Sequence, residues 1–326
     1  MRIVMLGNTQ PRAALLRGLL PFAAEVLRDD DTRAGRNAPL EVDAAVSIRF
    51  TDADIAAVHC RLLQCSGAGV DAIALQHLPK ETIVCNVHEH EIPIAEFVIA
   101  GMLEHEIGLA RAAATFASAG WGNLFRSRVP HGELAGKTIC IVGFGRIGRA
   151  LAVRAKAFGM RVVAVNRSGR QAAEADVTSR FDRVREAVGE ADYVVLACPL
   201  TEETRGLIDA GVIAAMRPSA VLVNVARGEV VDEEALWQAL SEKSIAAALL
   251  DTWYSYPTAA APDPKPSRFA FETLPNVRAT PHVAAWTEAL MDRRYKAIAD
   301  NLARFHRGEP LANVVWKDGG PVGEGT

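Results

Sequence analysis

Apolar residues recur along the chain in short runs separated by longer stretches with one apolar face. Over the first hundred residues the runs Arg2–Leu6, Ala45–Ile48, Ala57–Leu63 and Thr82–Asn86 have the length and composition of strands. Between them, Ala13–Leu27 sets Leu15, Leu16, Leu19, Leu20 and Val26 where one helix face could bury them, with Pro21 as an interruption. This alternation predicts a small α/β domain around a largely parallel sheet. Residues 92–118 are rich in Ala, Leu and Ile, with Pro93 as the main breaker, and predict one or two long helices. The stretch GWGNLFRSRVPHGELAG follows, and its Gly, Pro and Trp read as a crossing loop between domains.

A second alternation starts at Lys137. Thr138–Val142 and Arg161–Val165 read as strands around a helix, Arg146–Phe158. Tyr193–Ala197, Ala220–Val225 and Ala246–Leu250 are further strands separated by helical stretches, which is the pattern of a doubly wound sheet. Residues 257–275 are Pro-rich and read as an ordered loop, and a last helix over Thr287–His306 precedes a Gly-rich tail. No internal repeat interrupts this order.

Composition narrows the class. A chain of 326 residues favours two domains. Half its residues are hydrophobic and its formal net charge is −3, which argues against nucleic acid or an anionic membrane as the main partner. No apolar run approaches the roughly 20 residues of a membrane span. The opening MRIVMLGNTQP reads as a first strand rather than a signal peptide. Five cysteines at wide spacing, mostly in strand-like runs, predict buried free thiols in a cytoplasmic protein.

The chemistry begins at IVGFGRIGRA. Gly143, Gly145 and Gly148 form a G-x-G-x-x-G that follows a strand and opens a helix, the context a dinucleotide-binding turn requires. Gly143 permits the turn, Gly145 lets a pyrophosphate approach the backbone, and Gly148 lets the helix pack close. The N–H groups near Arg146 and Ile147 are the expected phosphate donors. In NAD-binding versions an acid about 20 residues on, at the tip of the second strand, receives the ribose 2′-hydroxyl. Here that strand ends VVAVNRSGR, and Asn166, Arg167, Ser168 and Arg170 stand at its tip with no carboxylate before Glu174. An arginine fork without a repelling acid suits a 2′-phosphate, so NADP(H) is the expected cofactor, with NAD(H) possible.

Three more segments complete a pattern: CPLTEETRGLI from residue 198, VNVARGEVVDEEAL from 223 and NVRATPHVAAWT from 276. With the glycine turn and the upstream CSGAGVDAI and PIAEFVIAGML, the chain resembles the D-2-hydroxyacid dehydrogenases over nearly its whole length. The resemblance implies two Rossmann-like, doubly wound α/β domains. A dinucleotide-binding domain, 105–287, is inserted into a flavodoxin-like substrate domain made of 1–104 and 288–326. It further implies a homodimer, with the 92–118 helices and the following loop in the contact, and no metal.

The same resemblance assigns roles. Arg227 matches the catalytic arginine, and a guanidinium suits a planar carboxylate and carbonyl. His282 matches the acid/base that protonates the carbonyl oxygen in reduction. Ser66 and Gly67 match the turn whose backbone grips the substrate carboxylate. Asp251 matches the residue that receives the nicotinamide carboxamide, and Pro199 and Thr204 match residues lining the cofactor groove.

One position departs. Relatives carry a Glu-Pro whose glutamate holds the histidine and keeps it charged, whereas LDTWYSYPTAA puts Tyr256-Pro257 in that register. A phenol cannot favour the charged imidazole as a carboxylate does, though it can hydrogen-bond to it. Three readings stand open: Tyr256 orients His282, another carboxylate such as Glu229 or Glu288 supplies the charge, or catalysis is lost. Trp253, Tyr254, Tyr256 and Trp286 either wall a pocket for a bulkier 2-oxoacid or simply pack. The run His88, Glu89, His90, Glu91 lacks a third ligand for a metal and reads as solvated or capping residues.

The expected function is NAD(P)H-dependent reduction of a small 2-oxoacid, of glyoxylate or hydroxypyruvate type, to the D-2-hydroxyacid. The alternatives are an NAD-dependent dehydrogenase working in oxidation and a catalytically weak, dinucleotide-sensing interaction protein.

Overall fold

The computed structural model describes residues 1–30, 38–118, 120–258 and 261–322. Two compact units divide the chain: Met1–Glu89 with the segment from Thr287 on, and His90–Trp286. The 104/105 boundary expected from sequence falls inside one helix, Glu91–Ile107.

The first unit is built on strands β1 (Arg2–Met5), β2 (Glu25–Arg28), β3 (Leu40–Ser47), β4 (Val58–Cys65) and β5 (Ile83–Cys85). They run parallel in the order β2-β1-β3-β4-β5, the flavodoxin-like winding. Ile3, Met5, Ala44, Val46 and Leu62 pack one face of the sheet against Leu16 and against Tyr295, Ile298 and Leu302 of the terminal helix Glu288–Arg307. The single helix read over Ala13–Leu27 is corrected. The helix stops at Leu19, Leu20 turns extended, and Glu25–Arg28 pairs with β1 as an edge strand. Pro21 explains the break, since it has no N–H and clashes with a preceding helical turn. Only Val26 of that strand is buried, so its pattern carries little period-2 signal.

The second unit holds β6 (Thr138–Val142), β7 (Arg161–Asn166), β8 (Val177–Arg180), β9 (Tyr193–Leu196), β10 (Val221–Asn224), β11 (Ala247–Leu250) and β12 (Val277–Ala279). Their order, β12-β11-β10-β9-β6-β7-β8, is all parallel and reverses at β6. That reversal makes the crevice at the C-terminal ends of β6 and β9 the switch point where ligands bind in such sheets. The central strands are buried on both faces, as Val, Ile and Leu runs in parallel sheets are. β8 and β12 were not anticipated, because these edge strands are short and only half-buried.

The helix Glu91–Ile107 buries Ile94, Val98 and Met102 in the core that also holds Leu151 and Ala155 of the helix Arg146–Ala157. Gly108 ends it in the left-handed conformation, and a second helix, Leu109–Ser118, buries none of its residues. The expected crossing loop contains a short helix, Trp121–Arg126. The supposed tail also differs: β13 (Val314–Lys317) pairs antiparallel with β5, and β14 (Gly320–Pro321) with β13. Residues 323–326 of that tail, and 259–260 of the Pro-rich loop, lie outside the described residues. Among the described residues no helix is long and apolar enough to cross a membrane.

Candidate active site

The glycine turn sits where the pattern requires it, between β6 and the helix Arg146–Ala157. Gly143 has φ +96°, and a Cβ there would lie 2.3 Å from the Cys198 backbone nitrogen. A Cβ on Gly148 would lie 2.5 Å from the Gly143 carbonyl oxygen, so the helix can approach its strand only through glycine. Gly145, the N-cap, faces open space: nothing stands within 4 Å of an added Cβ. No side chain caps this helix and no acid occupies its first turn. The N–H groups of Arg146 and Ile147 thus lie at an uncapped N-terminus carrying the positive end of the helix dipole. These features fit the pyrophosphate of a dinucleotide.

At the tip of β7, Asn166 holds the turn that follows. Its Oδ1 accepts from the Gly169 N–H at 2.6 Å and its Nδ2 donates to the Arg170 carbonyl at 3.1 Å. An amide supplies both a donor and an acceptor, which a carboxylate could not. Arg167, Ser168 and Arg170 are exposed around this turn, and Arg167 pairs with Glu203 at 2.9 Å. On the neighbouring loop after β9, Pro199 is exposed while Thr204 is 1% exposed. The Thr204 hydroxyl donates to the Pro199 carbonyl at 2.6 Å and accepts from the Thr201 N–H at 2.8 Å, so Thr204 braces this loop from inside.

Arg227 follows β10 on a turn built by Asn224, which sequence reading passed over. The Asn224 side chain, 2% exposed, accepts from the Ala226 N–H at 3.0 Å and donates to the Arg227 carbonyl at 2.9 Å. Gly228 then passes so close to the next loop that a Cβ would lie 2.5 Å from the Trp253 carbonyl carbon. The Arg227 turn and the 253–256 loop therefore touch backbone to backbone.

Asp251, at the end of β11, is 1% exposed. Its Oδ1 accepts from the Thr280 hydroxyl at 2.7 Å and the Val283 N–H at 2.8 Å, and its Oδ2 from the Ala284 N–H at 2.9 Å. These bonds straddle His282, whose φ of +57° is left-handed. That conformation costs an L-residue on the order of 1 kcal/mol. The three bonds to a buried carboxylate offset it.

Tyr256 stands where the family glutamate was expected, and its hydroxyl is 2.8 Å from His282 Nδ1. The same oxygen accepts from the Trp253 N–H at 3.2 Å, and the Trp253 indole donates to the Thr280 carbonyl at 2.9 Å. Trp253 thereby ties the tyrosine's loop to the histidine's turn. The His282 pKa is lowered, first by desolvation of the ring and then by the Arg227 guanidinium, with Asp251 pulling the other way. The carboxylate acting on the ring is thus Asp251, while Glu229 pairs with Arg205 at 3.2 Å. Burial raises the Tyr256 pKa, so the phenol stays neutral at ordinary pH.

Of the other aromatics, Trp253 is buried in the core and the Tyr254 hydroxyl donates to the Val231 carbonyl at 3.2 Å, so both pack the loop. Trp286 is exposed. Ser66 and Gly67 follow β4 in the first unit, where the Ser66 N–H donates to the Ser47 carbonyl at 2.9 Å. In the His88–Glu91 run, the His88 and Glu89 carbonyls accept from Arg294 and Arg293. Among the described residues no group of His, Cys, Asp or Glu could hold a metal. All five cysteines are free and buried, and burial pushes the Cys60 and Cys140 thiols up to about 12 and those of Cys85 and Cys198 to about 11.

A glycine turn at the switch point of a parallel sheet, with charged groups converging at neighbouring strand ends, defines a Rossmann-type dinucleotide-binding domain. Residues 99–284 match the model of the D-isomer specific 2-hydroxyacid dehydrogenase NAD-binding domain, and the chain belongs to that family. A glyoxylate reductase from Pyrococcus furiosus is 41% identical over 186 residues, which cover 57% of this chain and 53% of that protein. The match thus spans about half the length of that relative. Among solved structures, a D-isomer specific 2-hydroxyacid dehydrogenase from Xanthobacter autotrophicus Py2, in complex with NADPH and MES, is 26% identical with a TM-score of 0.78, covering 96% of this chain and 97% of that one. An NADPH-dependent glyoxylate/hydroxypyruvate reductase from Sinorhizobium meliloti, in complex with citrate, is 26% identical with a TM-score of 0.77, covering 97% of this chain and 99% of that one.

Proposed function

We propose that the protein reduces a small 2-oxoacid of glyoxylate or hydroxypyruvate type to the D-2-hydroxyacid, with NADP(H) preferred over NAD(H). The observation that carries this is the His282 turn: an imidazole held by Tyr256 at 2.8 Å on Nδ1, in a segment fixed by Asp251, with Arg227 near enough to act on its charge. With Nδ1 held by the phenol, Nε2 is the nitrogen left to serve substrate. In the reductive direction it delivers a proton to the carbonyl oxygen. Arg227 holds the carboxylate and polarises the carbonyl, and the charge it shares with the imidazolium sharpens proton release. The dinucleotide, when bound, supplies the hydride. Gly145, Arg146 and Ile147 would hold its pyrophosphate, and Asn166, Arg167, Ser168 and Arg170 its adenosine ribose. Support for NADP(H) comes from two arginines and no acid at the β7 tip, and from the NADPH-bound relative. On this reading Asp251 would receive the nicotinamide carboxamide, and the Ser66–Gly67 turn would bind the substrate carboxylate.

A second reading, oxidation of the D-2-hydroxyacid, is favoured by one observation. The lowered His282 pKa leaves its imidazole neutral, and so a base, at neutral pH. We also propose a homodimer, supported by the exposed Leu109, Phe116, Trp121 and Phe125 on helices 109–118 and 121–126. Purified protein mixed with NADPH or NADH and a panel of 2-oxoacids, followed by loss of reduced-cofactor absorbance, tests the whole reading. Turnover with NADPH well above NADH is expected. Turnover with NADH alone would make the β7 arginines mere surface charges. Binding without turnover across the panel would favour a dinucleotide sensor.

A further inference from the structure

The ion pair between Arg167 and Glu203 joins two different loops. Arg167 follows β7 and Glu203 follows β9, and these strands flank β6 on either side. Their tips are separated by two strand spacings, roughly 10 Å. Between them runs the turn of Gly143 and Gly145. The pair therefore spans the end of β6, across the face that an adenosine would enter on its way to the β7 tip. Both loops are internally braced, one by Asn166 and the other by buried Thr204, so the pair is a strut between fixed points. Its side chains are nonetheless 70% and 47% exposed, and an exposed pair of this kind is weak and easily exchanged for a better partner.

Resting on the dinucleotide reading above, we infer that Glu203 is a specificity-determining residue for the cofactor, a carboxylate that competes with the 2′-phosphate of NADP(H) for Arg167. A 2′-phosphate carries more charge than a carboxylate and offers the guanidinium a bidentate partner. Binding NADP(H) transfers Arg167 from Glu203 to the phosphate and leaves Glu203 solvated. A 2′-hydroxyl offers no such exchange, so the pair stays closed over NAD(H). Arg170, exposed at the same tip, supplies the first attraction, and Glu203 sets how much of Arg167 is added to it. The residue thus narrows the gap between the two cofactors that the arginines alone would open.

The test is titration of the full-length protein with NADPH and NADH at fixed ionic strength, using wild type, Glu203→Gln, Arg167→Ala and the double variant. Adenosine 2′,5′-bisphosphate and adenosine 5′-monophosphate serve as minimal probes, and thermal melts check folding. Glu203→Gln is expected to tighten NADPH and the bisphosphate about two- to fivefold, the scale of one exposed ion pair, while NADH and the monophosphate move less than twofold. In the Arg167→Ala background the same change leaves the NADPH-to-NADH ratio where it was. An unchanged ratio in folded Glu203→Gln, an equal shift for both dinucleotides, or weaker NADPH binding would each overturn the inference while leaving dinucleotide binding intact. Failure of wild type to bind either dinucleotide would instead remove the functional reading, and this inference with it.

Discussion

The tips of β7 and β11 belong to one sheet and are built in opposite ways. At β7 the charged groups are exposed, the Arg167–Glu203 pair among them. At β11 a carboxylate 1% exposed accepts three hydrogen bonds and fixes a left-handed histidine between them. On the proposed function, the difference follows from what each end would have to do. Choosing between two cofactors needs only a modest difference in surface electrostatics. Delivering a proton needs a ring held to within a fraction of an ångström, and only a buried, saturated anchor gives that.

Substitution at the rigid end is expected to have the largest effect. His282→Gln should lower kcat about 10²- to 10⁴-fold, the range for loss of a general acid, with NADPH affinity nearly unchanged. Parallel loss of affinity would mean that the turn, rather than the proton, had been removed. Asp251→Asn comes next. Its amide cannot accept every bond the carboxylate accepts, so a buried N–H loses its partner and stability falls by about 2 kcal/mol in urea unfolding. A midpoint equal to wild type would show that the turn holds His282 without Asp251.

Smaller again is the tyrosine. Tyr256→Phe should cost about tenfold in kcat/KM by freeing the imidazole, the scale of one lost positioning hydrogen bond. The pH profile sharpens this. Reduction requires imidazolium, and the His282 pKa lies below its ordinary value, first because of desolvation. The active form is therefore full in acid and is lost as pH rises through that lowered pKa, at lower pH than in relatives with a glutamate partner. Tyr256→Glu should move the limb to higher pH. A reductive profile flat from mildly acidic to alkaline conditions would show that His282 is not the acid. Smallest is Arg170→Ala, expected to weaken NADPH a few-fold and less as salt is added, while NADH is unaffected. Equal weakening of both would place Arg170 near the pyrophosphate or adenine instead of the 2′-position.

Much of this was legible in the chain itself. The glycine turn, the strands around it and the arginine tip sit in local contexts whose meaning depends on neighbours a few residues away, while Arg227 and His282 were marked by the family resemblance. Strand, turn and helix are short-range patterns, and Gly143 and Gly148 are readable because no other residue fits so close to backbone. The family resemblance set Tyr256 in the register of a glutamate, and the Tyr256 hydroxyl stands 2.8 Å from His282 Nδ1. What tertiary structure decided were partnerships over long separations. Strand β2 exists because the β1 edge needed a partner, against a local pattern that read as helix. Thr204, marked for the cofactor groove, turned inward to brace a loop. Asp251 was placed at its strand end, yet its grip on Val283 and Ala284, more than thirty residues on, appears only when β11 and β12 lie side by side. The choice among Glu229, Glu288 and Tyr256 as histidine partner was likewise a matter of distance. Local pattern records what a residue can do, and which groups it meets depends on how the strand ends converge.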